Sequence, residues 1–333
     1  MPKTLLLTGI AGFAGSHALE HVLQHTDWNI VGLTTFRHRG DPLRLDIDSY
    51  DPDRIRIYYC DLNSDISNRL IDRIGPVDYV WNLASESHVD RSITDPRPFI
   101  ENNVRLAITM LEFARLAKPE VFIQISTDEV YGPAPEGVDF PEWSPIVPSN
   151  PYSASKAAQE AIAISYWRTY SVPLIITNTM NLIGERQDTE KFVPSTIAKV
   201  HADKIVTVHG NEQEIGSRFY IHARNHADGL LFLTNNVTPD LFDRDTVDKP
   251  ARFNVRGERE VNNLEMAEMI ADILGKKLKY QLLDFHRERP GHDPRYALDD
   301  SKLRALGWTP PLPLFESLER TVVWTLRNPE WLL

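Results

Sequence analysis

Through its first half the chain alternates short apolar runs with amphipathic stretches of helical length. Runs of strand length occur near Thr4–Thr8, Asn29–Leu33, Arg54–Leu62, Tyr79–Ala84, Val121–Ser126 and Leu174–Met180. That alternation is the mark of βαβ units, and six such strands predict a doubly wound parallel α/β sheet. Beyond Asn181 the pattern loosens into a segment rich in proline and charge, isolated apolar runs such as Ile205–Val208, and a helix candidate at Asn263–Leu274. The expected organisation is a large lobe of residues 1–180, joined by part of 219–256, and a smaller mixed α/β lobe made of 181–218 and 257–330.

Composition narrows the class. The 333 residues are 42% hydrophobic and 25% charged, ordinary for a water-soluble α/β protein with a large core. The single cysteine, Cys60, excludes an internal disulfide and a zinc ribbon, so a reducing cytoplasm is the expected setting and no metal site is expected. Gly9, Gly12 and Gly15 interrupt the N-terminal apolar run before it reaches signal-peptide length, and no membrane-spanning stretch is expected. A formal net charge of −11 argues against nucleic acid as a partner.

The first chemical motif follows the first strand. Gly9-Ile-Ala-Gly12-Phe13-Ala14-Gly15 lies between that strand and a helix read as Ser16–His25. The first glycine permits a tight turn, the second a close approach of backbone to pyrophosphate, and the third close packing of helix on sheet. The end of the second strand, where a carboxylate normally meets the adenosine ribose, reads Thr34-Thr35-Phe36-Arg37-His38-Arg39. Arg37 and Arg39 in place of an acid fit a 2′-phosphate, which leaves NADP and NAD both open; the alternative is that they are solvated loop charges.

The second motif is Ser126-Thr127-Asp128-Glu129-Val-Tyr131-Gly132, at the end of a central strand, with Asn150-Pro-Tyr152-Ser-Ala-Ser-Lys156 opening a long helix. The i, i+4 spacing puts Tyr152 and Lys156 on one face, where the ammonium is expected to lower the phenol pKa so that Tyr152 can take a proton from a hydroxyl. Thr127 is placed to hydrogen-bond that hydroxyl. Two adjacent carboxylates at a strand end are costly if buried and unpaired, which makes Asp128 and Glu129 candidates for acid/base work.

The glycine spacing resembles the extended short-chain dehydrogenase/reductases, a Rossmann-type family. The Thr127–Glu129 and Tyr152/Lys156 segments resemble the 4,6-dehydratases of nucleotide sugars within it. Segments 82–96, 190–194 and 289–296 match in order, so the likeness runs from Thr4 to about Leu326. It implies a hydro-lyase that oxidises a nucleotide-linked hexose at C4, eliminates water across C5–C6 and returns the hydride to C6. Tyr152 would act at the 4-hydroxyl, Glu129 as the C5 base and Asp128, protonated, as the acid for the departing 6-hydroxyl. The resemblance places Asp61 and Leu62 at the adenine, and Leu83, Ala84 and Ser85 along the cofactor. Ser87, Asp90 and Arg91 fall near the hexose, Asn181, Lys191, Phe192 and Val193 near the pyrophosphate, and Arg295 where it would clamp a phosphate; the alternatives are that Asn181 caps a turn and Arg295 is a surface salt bridge, and Arg218, displaced by two positions from the family's arginine, leaves its phosphate contact open. It also implies a homodimer. The segment Glu214–Tyr220 departs from the family pattern, so the base and the hexose stay open. An epimerase or decarboxylase of the same fold, or a non-catalytic dinucleotide-binding module, are the competing readings.

Overall fold

The computed structural model describes residues 2–37, 39–211, 213–239, 247–284 and 291–332. The chain order begins β1 (Thr4–Thr8), α1 (Phe13–His25), β2 (Asn29–Thr34), β3 (Ile55–Tyr59), α2 (Asn68–Ile74), β4 (Tyr79–Asn82), α3 (Val89–Thr94) and α4 (Pro96–Ala117). It continues with β5 (Val121–Thr127), α5 (Pro151–Tyr170), β6 (Leu174–Thr179), β7 (Leu182–Ile183), α6 (Phe192–His201), β8 (Val206–His209), β9 (Ser217–Arg218), β10 (Ile221–His222) and α7 (Ala223–Asn236). The remaining described elements are β11 (Ala251–Val255), β12 (Val261–Asn262), α8 (Asn263–Ile273), β13 (Tyr280–Leu283), α9 (Ser301–Ala305) and α10 (Leu314–Arg327).

Seven parallel strands form the central sheet in the order β11-β6-β5-β4-β1-β2-β3. The six expected strands are all there, with β3 and β4 shorter than the apolar runs, and α1 begins three residues earlier than expected. β11 was not among the expected strands. All five of its residues are buried, but Arg252 and Asn254 break its apolar run; fully buried Glu160 of α5 pairs with Arg252, and Asn254 Nδ2 donates to the Phe140 and Asp299 carbonyls at 2.9 Å. Such a charge is tolerable in a core only because it is paired and bonded.

One apolar cluster, including Leu5, Leu7, Trp81 and Phe253, packs under α1 and α7; another, including Leu6, Val80, Phe122 and Ile176, packs under α4 and α5. Strand order reverses between β1 and β4, the crevice where open α/β sheets bind ligands. There Thr8 Oγ1 donates to Asn82 Oδ1 at 2.8 Å and accepts from Ala84 N at 2.9 Å. Away from the sheet, α6, α8 and α10 enclose a smaller core around Ile197, Ile270 and Leu318, beside the β8–β13 pair.

Candidate active site

The glycine turn is built as its sequence requires. Gly9 has φ +68°, a left-handed conformation open to glycine, and a Cβ there would lie 3.1 Å from Ala84 Cα. A Cβ on Gly15 would lie 2.1 Å from the Gly9 carbonyl oxygen, so the helix meets the turn with no room for a side chain. Gly12 caps α1, no side chain caps its first turn, and that turn holds no acid. The amides around Phe13 and Ala14 therefore present the positive end of the helix toward the crevice. Leu83, Ala84 and Ser85 run past it, half-buried, and Leu62 is buried at the end of the β3 connection.

The adenosine end differs from two free arginines. Thr34 is buried, and its Oγ1 accepts the Phe36 amide at 3.2 Å. Arg37 pairs with Asp61, whose carboxyl is held below its ordinary range by the Asn63 amide and Arg37 against a burial effect that raises it. Arg39 reaches Glu190 and, at 3.5 Å, Asp188, from the segment leading into α6. Both arginines are about half exposed, so these pairs are worth little energetically and would yield to a stronger anion. His38 lies outside the described residues.

β5 carries the reacting groups to the crevice. Thr127 ends the strand and Asp128 and Glu129 begin a 3-10 turn. Thr127 Oγ1 donates to Asp128 Oδ1 at 2.8 Å, accepts the Glu129 amide at 3.4 Å, and shares a hydrogen bond with the Tyr152 phenol. Asp128 is 4% exposed, and its Oδ2 has no hydrogen-bond partner among the described residues. Burial, then the neighbouring Glu129 carboxylate, push the Asp128 carboxyl up to about 7. Glu129 is half-buried and accepts from Asn150 Nδ2 at 3.1 Å, with the Tyr296 hydroxyl 3.5 Å from the same oxygen.

α5 starts on a strong signal: Asn150 caps it reciprocally with Ser153, and Pro151 fills its first turn. One turn in, Tyr152 and Lys156 are both buried. Lys156 Nζ donates to Ile125 O and to Gln159 Oε1, each at 2.7 Å, and burial brings its pKa down to about 8 against the pull of Glu160. The expected lowering of Tyr152 by Lys156 is not what the structure shows. Burial first, then Glu129, hold the phenol above its ordinary value, with Asp128 adding to the rise and the Thr127 hydrogen bond opposing it. The ammonium is committed to the strand carbonyl and Gln159 instead.

The residues expected around the substrate divide. Ser87, Asp90 and Arg91 are exposed on and before α3, with Arg91 on Glu86 at 3.2 Å and Asp90 on His292 at 2.6 Å. Lys191 caps the start of α6 and donates to the Ser87 carbonyl at 3.1 Å, its pKa lowered by burial; Phe192 and Val193 turn into the smaller core. Asn181 is exposed, and its carbonyl accepts the Ile221 amide at 3.1 Å.

Arg218 is buried, stacked 4.6 Å over the Tyr296 ring, with its guanidinium on the carbonyls of Ser217, Asp293 and Pro294. Its charge still favours the ionised form of Asp128. Arg295 does not fit the expected phosphate clamp. Its five N–H donors go to Glu260, Asp139, Pro135 O and Val138 O, so it ties the 135–139 loop to Glu260. Arg289 and Pro290 of the same motif lie outside the described residues.

Sequence reasoning passed over Asn150, Gln159 and Tyr296. Nothing local in the sequence shows that the Asn150 amide meets Glu129. Among the described residues no group of three or more His, Cys, Asp or Glu is arranged to hold a metal, and no helix is long and apolar enough to cross a membrane.

A buried tyrosine and lysine on one helix, beside an Asp-Glu pair at a strand end and below a glycine turn, is a constellation that comparison can place. The model of the GDP-mannose 4,6 dehydratase family matches residues 6–321. The chain belongs to this family. The dTDP-glucose 4,6-dehydratase of Escherichia coli is 33% identical, aligning over 98% of this chain and 94% of that protein. Among solved structures, a Streptomyces venezuelae dTDP-glucose 4,6-dehydratase with NAD bound superposes with a TM-score of 0.86 at 30% identity, covering 98% of each chain. A Thermus thermophilus UDP-glucose 4-epimerase complexed with NAD has a TM-score of 0.83 at 26% identity, covering 96% of this chain and 98% of that one. The dehydratase family thus shares its fold with epimerases, and the side chains around Tyr152 must separate the two chemistries.

Proposed function

We propose that the protein is a hydro-lyase that converts a nucleoside-diphosphate hexose to its 4-keto-6-deoxy derivative. The observation that carries this reading is the Asp128/Glu129 pair beside Tyr152: one carboxyl buried and raised to about 7, the other hydrogen-bonded by Asn150. An elimination needs an acid and a base at once; burial keeps a proton available on Asp128 near neutral pH, and Asn150 holds the second carboxyl in place beside it. A 4-epimerase needs Tyr152 and Thr127 but has no task for this pair.

Each residue then has a role its surroundings support. Tyr152, hydrogen-bonded to Thr127, takes the proton of the sugar 4-hydroxyl. Lys156 anchors the helix face that carries Tyr152 to β5 through the Ile125 carbonyl. Glu129 removes the C5 proton of the resulting ketone; the C5–H electrons form the C5–C6 double bond as the C6–O bond breaks, and Asp128 gives its proton to the leaving hydroxyl. Ser87, Asp90 and Arg91 face the hexose, and Asn181 with the Lys191–Val193 segment meets the diphosphate.

The residues present fit a nicotinamide dinucleotide. The Gly9–Gly15 cradle would be filled by any Cβ at Gly15, and the uncapped first turn of α1 suits a pyrophosphate. When bound, that cofactor would supply a hydride acceptor for C4 and a hydride donor for C6, unchanged over the cycle, while C5 takes back a proton by way of Glu129. Paired Arg37 and Arg39 leave NAD and NADP both admissible. dTDP-glucose is the first substrate to test, because the relatives bear its name, with other bases open through the altered Glu214–Tyr220 segment. We further read residues 1–180, with part of 219–256, as the cofactor lobe and the rest as the substrate lobe, in a homodimer working in the cytoplasm.

The test is to incubate the purified protein with dTDP-, UDP-, CDP- and GDP-hexoses and weigh the products. Loss of one water from one of them without net cofactor reduction supports the reading; a product of unchanged mass with C4 inverted would make the protein an epimerase.

A further inference from the structure

Asn150 joins three parts of the site. Its Oδ1 accepts the Ser153 amide at 2.9 Å, which caps α5. Its two amide hydrogens go to Glu129 Oε2 at 3.1 Å and to the Gly291 carbonyl at 3.0 Å. The side chain is 6% exposed, and with all three partners in place only one orientation of the amide is satisfied, since a flip would set oxygen against oxygen twice. The Glu129 oxygen it holds is also the one nearest the Tyr296 hydroxyl, and Tyr296 belongs with Gly291 to one stretch of chain. That stretch is tied to α3 by His292 on Asp90 at 2.6 Å.

Described groups on which the Glu129 charge acts include Asp128 beside it, Tyr152 from α5, Lys191 from the start of α6 and Tyr296. Only Lys191 among them is a cation. A neutral donor at position 150 fixes the carboxylate without adding charge to this crowded set, and a base must be both ionised and aimed to remove a carbon-bound proton. Resting on the dehydratase reading, we propose that Asn150 is the positioning residue for the C5 base. It sets the direction of the Glu129 carboxylate and couples it to the 291–296 segment of the substrate lobe.

The substitution Asn150→Asp tests this, because aspartate keeps the size and still caps the helix while placing a like charge against Glu129. In rapid-quench experiments on the accepted sugar, Asn150→Asp is expected to accumulate the oxidised, still hydrated 4-keto sugar, two hydrogens lighter than substrate. Its elimination step should slow on the order of 10- to 100-fold, and the limb of the pH profile due to the base should move to higher pH. Asn150→Ser, which caps without the charge, should return that limb to the wild-type position. Wild-type elimination in both variants would overturn the proposal, as would equal slowing of oxidation and elimination in step with a fall in Tm. If the wild-type enzyme itself released no water from any nucleotide sugar, the dehydratase reading would be at fault instead.

Discussion

The Thr127 hydroxyl donates to Asp128 Oδ1 at 2.8 Å, while the other Asp128 oxygen is buried with no partner among the described residues. A half-satisfied buried carboxyl favours its protonated form, and that is the form an acid needs. The sign of the pH dependence follows. Elimination should fall as pH rises through about 7, where Asp128 loses its proton.

Stability should follow the same group. A folded-state pKa raised above the ordinary 3.8 means the Asp128 contribution is fully favourable below that value and is lost as pH rises toward and through about 7. Asp128→Asn should therefore gain Tm relative to wild type at pH 8 compared with pH 5. It should also lose about 10²-fold or more in turnover, since it has no proton to give. Thermal melts across that range with parallel assays check both.

Removing Lys156 should harm the scaffold as well as the chemistry. Lys156→Ala removes the 2.7 Å donor of Gln159 Oε1 and the Ile125 carbonyl and leaves both to the longer bonds from Gln124 Nε2 at 3.3 and 3.2 Å, at about 1 kcal/mol. Urea unfolding measures this, and a variant as stable as wild type would show that Gln124 alone satisfies both acceptors.

Glu160 and Arg252, both fully buried, make the sharpest stability prediction. Glu160→Gln leaves the Arg252 charge uncompensated beside β11 and should cost about 3–5 kcal/mol. Asn178, which donates to Glu160 at 2.8 Å and to the Thr127 carbonyl at 3.0 Å, should carry part of that loss into the active site. Denaturation and turnover measured on one sample test the coupling.

Gly15→Ala should abolish retention of the dinucleotide, since the new methyl would lie 2.1 Å from the Gly9 carbonyl oxygen. Cofactor content after heat release reads this directly; a normal content would mean the turn can open.

What was legible in the sequence is what depends on neighbours along the chain. The glycine turn, the Tyr152/Lys156 spacing and six strands are local patterns, and the fold keeps them. β11 was hidden because Arg252 and Asn254 sit where a core strand should be apolar, and their partners, Glu160, Phe140 and Asp299, are 92, 114 and 45 positions away. The same distance effect kept the two readings of Arg295 apart, since its partner Asp139 is 156 positions off, and it misled the reading of Lys156, whose ammonium turns to Ile125. A side chain's type can be read locally, but its direction is set by contacts across the fold.

The central claim is that Glu129 and Asp128 remove water across C5–C6, and it is tested most directly by running the accepted nucleotide hexose in heavy water. The account predicts a product one water lighter than substrate, carrying one deuterium at C5 and none at C6, with Glu129→Gln failing to form it. A product of unchanged mass, inverted at C4 and free of deuterium at C5, would contradict it.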